Sequence, residues 1–255
     1  MAHIDYFFAT ISPFTYLGGT DLEEIAQKHG ATIAYKPMDL MTVFSRTGGV
    51  SPKDRHISRI ELRAQELPRQ AKKRKLPLNL QPAFFPVNMA PSSYAVIAAS
   101  TYGDGDLGAL VHGFTRAVWA EQKDISQPEV IADCLKAAGF DPSLGDKDMI
   151  GSAEQYAKNT EDAVAAGVFG APFYITDKDQ RFWGQDRLED LGLVLSGALL
   201  ASKNTGRDWP APGNTHFIHV RSLENGRHPP GLRTNRSPNR RARAHQPIRF
   251  YGRLP

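Results

Sequence analysis

Ser12-Pro13-Phe14-Thr15 is the first place along the chain where a reactive group can be held. A serine hydroxyl is a weak nucleophile unless a base takes its proton, and no histidine or lysine is tied to Ser12 by a motif. As a hydrogen-bond donor at a helix start it suits an anion better, because hydroxyl and helix dipole both favour negative charge. A second candidate is the Gly-x-Pro turn Gly170-Ala171-Pro172-Phe173. Other chemistries fail at the level of residue counts. One cysteine, Cys134, rules out a disulfide framework, a CxxC redox centre and a cysteine-based zinc site. Eight histidines are scattered, half of them beyond residue 202 and including His216 and His219, so no metal triad is expected. Gly103-Asp104-Gly105-Asp106 lacks the rest of an EF-hand loop, and neither a P-loop nor GxGxxG occurs.

These residues need elements to position them. Residues 3–9 read as a strand, with Ile4, Tyr6 and Phe8 alternating against Asp5 and Phe7. Ser12 as N-cap and Pro13 at the first helical position open a helix reaching His29, which Gly18-Gly19 weakens or breaks. Thr20-Asp21-Leu22-Glu23 reads as a capping box within it. Gly30 stops the helix, and residues 31–35 form a second strand before Pro37. Strand, helix and strand within 40 residues make a βαβ unit, so these strands should be parallel. Helices are expected over 57–75, 92–102 and 108–121, with a proline-spaced loop over 76–91. Two more open at the capping boxes Ser126-Gln127-Pro128-Glu129 and Ser152-Ala153-Glu154-Gln155 and end near Gly139 and Ala166. Residues 173–176 and 181–183 flank a polar turn in a hairpin pattern. Asp186-Arg187-Leu188-Glu189 then caps a last amphipathic helix ending near Gly197.

The order is βαβ, a helical block, then ββα, without internal repeats. It is the thioredoxin arrangement, an α/β fold with an all-helical insertion between its halves. Residues 1–38 and 166–198 should form the thioredoxin-like domain, and 39–165 the insertion. That fold places its reactive group where the first strand meets the first helix, at Ser12, and a proline before the third strand faces it, here Pro172.

Length and charge bound the rest. With 255 residues, 41% of them hydrophobic, the chain can bury a sizeable core in one large domain or two small ones. No apolar run approaches 18 residues, and the N-terminus has no basic leader before a long apolar stretch. A transmembrane helix and a secretory signal are therefore not expected, and a cytoplasmic location is. The net charge of +4 conceals a division. Residues 203–255 hold 11 Lys/Arg against 2 Asp/Glu, while the other 202 residues hold 20 against 25. With 7 Pro, 5 Gly and no apolar periodicity, 203–255 reads as a basic, disordered tail, and the mildly acidic body gives no sign of nucleic-acid binding.

Several segments together carry a resemblance. Ser12-Pro13-Phe14-Thr15-Tyr16-Leu17, Tyr35-Lys36-Pro37, Phe85-Pro86-Val87-Asn88 and the Ala117–Glu121 run occur in order. Gly167-Val168-Phe169-Gly170-Ala171-Pro172 and Phe182-Trp183-Gly184-Gln185-Asp186-Arg187-Leu188 follow at compatible spacing. Over about residues 3–197 the chain resembles the 2-hydroxychromene-2-carboxylate isomerases, relatives of the kappa-class glutathione transferases in the DsbA-like branch. The resemblance implies a glutathione-dependent cis–trans isomerase, and usually a homodimer, acting on a small aromatic substrate of hydrocarbon catabolism. Glutathione is the expected cofactor; no membrane or nucleic-acid partner is expected.

By that resemblance Ser12 is the catalytic residue, holding the glutathione thiolate. Ala171, preceding Pro172, would hold the cysteinyl backbone in a strand-like manner. Trp183, Gly184, Gln185 and Asp186 would meet the cofactor, the last two at its γ-glutamyl end. Arg55 is a carboxylate partner. Asp54 stands where the family often has an amide, and Phe44 near where it sometimes has a lysine. Phe84, Phe85 and Asn88 are candidates for the substrate pocket, with Asn88 orienting a carbonyl or carboxylate. Alternatives are a kappa-type transferase, conjugating the same thiolate irreversibly, and a non-catalytic DsbA-like protein that binds thiols or peptides.

Overall fold

A computed structural model describes residues 1–199 of the chain; the expected basic tail lies outside the described residues. Four strands form one sheet in the order β2-β1-β3-β4: β1 (His3–Phe8), β2 (Thr32–Pro37), β3 (Phe173–Thr176) and β4 (Arg181–Trp183). β1 and β2 are parallel, with Tyr6 opposite Tyr35, as a short βαβ connection requires. β3 runs antiparallel to β1 and to β4, with Tyr6 opposite Tyr174 and Tyr174 opposite Phe182. β2 ends at Pro37, two residues later than its composition predicts. An edge strand tolerates a proline there because its outer N–H needs no partner.

Both faces of the sheet are covered. On one, Tyr6 stacks on Tyr174 with ring centroids 5.2 Å apart and contacts Phe8 at 4.7 Å, and this aromatic cluster joins the main core. On the other, Phe7, Phe173 and Ile175 meet Val43 of α3 (Leu40–Thr47) and Ala163 of α8 (Met149–Ala165). Phe7, 1% exposed, is thus as deeply buried as the residues it alternates with. Between β2 and β3 every other regular element is helical: α4 (Ile57–Arg74), α5 (Ala90–Tyr102), α6 (Leu107–Trp119) and α7 (Pro128–Ala137), with short 3-10 turns.

The expected helix after Ser12 is two helices. α1 (Pro13–Gly18) ends at Gly19, whose φ of 57° favours glycine, and α2 (Asp21–His29) ends at left-handed Gly30. α3 was not legible, although Asp39 caps it by accepting from the Met41 and Thr42 amides. Three capping boxes and the Asp186 cap do not form. Thr20 makes no cap bond and its hydroxyl pairs with Glu24, while Glu23 turns inward to Tyr35. Ser126 bonds to the Asp124 carboxylate, leaving Gln127 at the cap. Ser152 lies buried inside α8, because Asp148 offers the Gly151 amide an acceptor earlier. Asp186 sits in a 3-10 turn and pairs with Arg187, and α9 (Leu188–Leu195) starts after it.

Candidate active site

Ser12 is 5% exposed and caps α1, its Oγ accepting from the Thr15 amide at 3.2 Å. The same hydroxyl donates to the Ala171 carbonyl at 3.3 Å, across 159 residues of chain. That bond joins the start of α1 to the loop before β3, where Ala171–Pro172 is cis. The loop is locked from its other side, where the Gly184 amide donates to the Pro172 carbonyl at 3.0 Å. Neither bond engages a base, and none of the residues hydrogen-bonded to the Ser12 hydroxyl is titratable. A 3.3 Å bond to a neutral carbonyl is weak, so the hydroxyl can turn its proton to a better acceptor.

Ser12 opens into a cleft of about 690 Å³, large enough for a tripeptide-sized molecule together with part of a second ligand. Ala171, Trp183, Gly184, Gln185, Asp186 and Arg55 also line it. Trp183 is 49% exposed and packs its edge on Phe169 at 4.9 Å. It lies so near Gly170 that a Cβ there would fall 2.4 Å from the indole nitrogen, so the Gly-Ala-Pro turn can pass beneath the ring only as glycine. Gln185 is buried, and its carbonyl accepts from Arg74 at 3.2 Å; Arg74 also pairs with Asp21. α4 is thereby tied to α2 and to the turn after β4, which fixes two walls of the cleft.

α4 and the turn before it supply a feature that sequence reading did not find. Arg55, Arg59 and Arg63 all line the cleft, and among the described residues none forms an ion pair. Arg55 donates to the Val50 carbonyl at 3.0 Å and lies over the Phe44 ring, while Arg63 lies over Phe14. Burial, then the charge of Arg55, pushes the Arg63 guanidinium down to about 10; Arg55 is lowered by burial and by Arg59. Glu66 and Asp186 also line the cleft but pair with Arg69 and Arg187, so three cations brought together outside any ion pair make a wall that favours anions. The i, i+4 spacing of Arg59 and Arg63 carried the signal, but on a charged helix it reads as a solvated face.

The remaining sequence candidates divide. Phe85 lines the cleft and packs on Trp119 at 4.9 Å, and the Trp119 indole donates to the Ile11 carbonyl. Phe84 and Asn88 are exposed and do not line it; the Asn88 side chain accepts from the Ala90 amide at the start of α5. Pro172 is buried behind Ala171. Phe44, 8% exposed, forms cleft wall, whereas Asp54 is engaged by Ser51. Cys134 lies on α7 outside the cleft, its thiol pushed up by burial to about 11. Among the described residues no group of histidine, cysteine and acidic side chains is arranged to hold a metal, and no helix is long and apolar enough to cross a membrane.

With serine at the strand–helix junction and its one thiol half-buried elsewhere, this is a thioredoxin-fold protein without a redox cysteine pair. Its residues 3–196 match the DSBA-like thioredoxin domain. A 2-hydroxychromene-2-carboxylate isomerase of Sphingobium xenophagum is 31% identical over 195 residues, 75% of this chain and 97% of that protein. Another, from Pseudomonas putida, is 30% identical over 191 residues, 72% of this chain and 90% of its own. The solved structure of a 2-hydroxychromene-2-carboxylate isomerase superposes with a TM-score of 0.62 at 28% identity, covering 77% of this chain and 95% of the other. The chain belongs to the DsbA-like thioredoxin family and, within it, to the family of the 2-hydroxychromene-2-carboxylate isomerases.

Proposed function

We propose that the protein is a glutathione-dependent cis–trans isomerase of 2-hydroxychromene-2-carboxylate or a similar aromatic 2-oxo acid. One observation carries the assignment: a buried hydroxyl without a base opens into a cleft walled by three unpaired guanidiniums. The names of its relatives supply the substrate class.

The donor set fits glutathione, whose two carboxylates need cations and whose sulfur needs a donor. Arg55, Arg59 and Arg63 exceed what one substrate carboxylate requires, and Ala171, which lines the cleft, would offer its backbone for strand-like pairing. Asp186 is half-exposed beside Gln185, where an α-amino group would be drawn to it. When bound, glutathione supplies a thiol sulfur for reversible addition to the unsaturated carbonyl chain of the substrate, which permits bond rotation. Ser12 would donate a hydrogen bond from its hydroxyl to that sulfur in place of the Ala171 carbonyl, which would favour the thiolate. Phe14, Phe44 and Phe85 present aromatic walls to the cleft.

The test uses the purified full chain. Calorimetry should show glutathione binding, and isomerisation of 2-hydroxychromene-2-carboxylate should depend on it. Absence of binding sinks the assignment. Conjugation of a chlorodinitrobenzene-type electrophile without isomerisation would replace it with a transferase.

A further inference from the structure

Beneath α1 lies a second, smaller polar site. Among the described residues three buried side-chain atoms have no hydrogen-bond partner: Thr15 Oγ1, Glu23 Oε2 and His112 Nδ1. They come from α1, α2 and α6, yet all three residues line one cavity. Tyr6 and Tyr174 of the sheet complete its polar lining. It offers about 10 Å³ to the centre of a water-sized guest, about the room that one buried water needs.

The surroundings are built for this. Gly108, in the first turn of α6, faces Glu23, and a Cβ there would lie 2.6 Å from the Glu23 Cγ and 2.8 Å from Oε1. Only glycine lets the α6 backbone approach that carboxylate. Oε1 already accepts from the Tyr35 hydroxyl at 2.8 Å, which leaves Oε2 for another donor. The inward turn of Glu23 is the reason Thr20 has no capping box. Three unsatisfied polar atoms, on residues from separate helices that line one cavity, would be a large desolvation cost unless something joins them.

We propose that this cavity is a binding site for one water molecule, which donates to Glu23 Oε2 and His112 Nδ1 and accepts from the Thr15 hydroxyl. The three bonds fit water's valence: it has two protons to give, both acceptors take one, threonine supplies the third bond, and one acceptor site remains for a tyrosine hydroxyl of the lining. The arrangement requires His112 to carry its own proton on Nε2. Thr15 also gives its backbone N–H to the Ser12 hydroxyl at 3.2 Å, so the water steadies the residue that orients Ser12. Thr15 is thus linked through its backbone to the cleft and through its side chain to the core.

A crystal structure of the full chain, grown without ammonium and at a resolution that orders water, tests this directly. One density peak within hydrogen-bond distance of all three atoms is expected. A dry cavity overturns the proposal, as does a peak bonded to only one of them. A peak that strengthens when ammonium replaces sodium would also overturn it, assigning the site to a cation. In Thr15→Val, which keeps the shape and removes the hydroxyl, the peak should be lost or shifted from its place beside α1. If that variant does not fold, the wild-type crystal decides alone.

Discussion

On the proposed function, Ser12 and the arginines make separable contributions. Removing a hydrogen bond to a charged group costs about 1.5–3 kcal/mol. Ser12→Ala should therefore raise the pKa of bound glutathione thiol and cut kcat/KM about tenfold to a hundredfold at neutral pH. Its N-cap bond is also lost, so stability should fall by about 1 kcal/mol while the fold persists. Thiolate absorbance against pH, with and without the substitution, checks this; unchanged titration and turnover would remove Ser12 from the mechanism. Arg63→Gln should raise KM for glutathione or substrate with a smaller effect on kcat, since its guanidinium faces the cleft without forming an ion pair. A fall in kcat alone would contradict an anchoring role. Ser12 and Ala171 were legible in the sequence because strand–helix punctuation and a Gly-x-Pro turn are local signals. Arg59 and Arg63 were not, because only the packing of α4 over α1 makes the exposed Arg59 and the half-buried Arg63 part of a cleft wall. Phe84 and Asn88 misled for the converse reason: neighbours of Phe85 in sequence, they end outside the lining it joins.

At the scale of elements, β3 and β4 were read correctly to the residue, since a four-residue polar turn between apolar runs leaves little freedom. Helix starts were read worse. A capping box presumes that its acid faces the cap, whereas Glu23 is claimed by Tyr35 and by the cavity under α1. The contact of α2 with α6 makes two measurable statements. Gly108→Ala should destabilise the protein by about 1–3 kcal/mol in chemical denaturation, although alanine is the better helix former by about 1 kcal/mol. An unchanged midpoint would mean that α6 is not seated on Glu23. The second concerns pH. His112 is held below its ordinary value of 6.5, first by burial and then by the Arg116 charge. Its neutral form is the one favoured by folding, so its contribution is complete above the ordinary histidine range and lost as pH falls through the lowered value. Glu23, raised chiefly by burial, titrates with the opposite sign, in the presence of Asp21, Asp106 and the three tyrosines of the sheet. The informative quantity is therefore a difference: the stability advantage of wild type over His112→Gln should shrink between about pH 7 and about pH 5. A constant difference would show that His112 does not titrate with unfolding.

For the whole molecule, charge is better described locally than by its sum. The chain totals +4, residues outside 203–255 carry five more acidic than basic groups, and yet the cleft wall within that acidic body gathers unpaired arginines. Its attraction for anions is a property of that wall, which net charge does not report. Among the described residues, those lining the cleft lie between Ile11 and Arg187, and the tie between α4 and the turn after β4 is made within the same span. The Sphingobium xenophagum relative aligns over 97% of its own length with only 75% of this chain, so a relative of that length has no counterpart for the rest. A chain ending at residue 202 should accordingly keep its glutathione affinity within about twofold, a difference below about 0.5 kcal/mol, with the same dependence of isomerisation on glutathione. Side-by-side calorimetry and turnover of the two lengths decide it. If the shorter chain loses affinity while its thermal unfolding is unchanged, residues beyond 202 contribute to the cleft, and the eleven basic side chains there become candidates for the anion wall alongside Arg55, Arg59 and Arg63. If it loses both, they contribute to the body that carries the site.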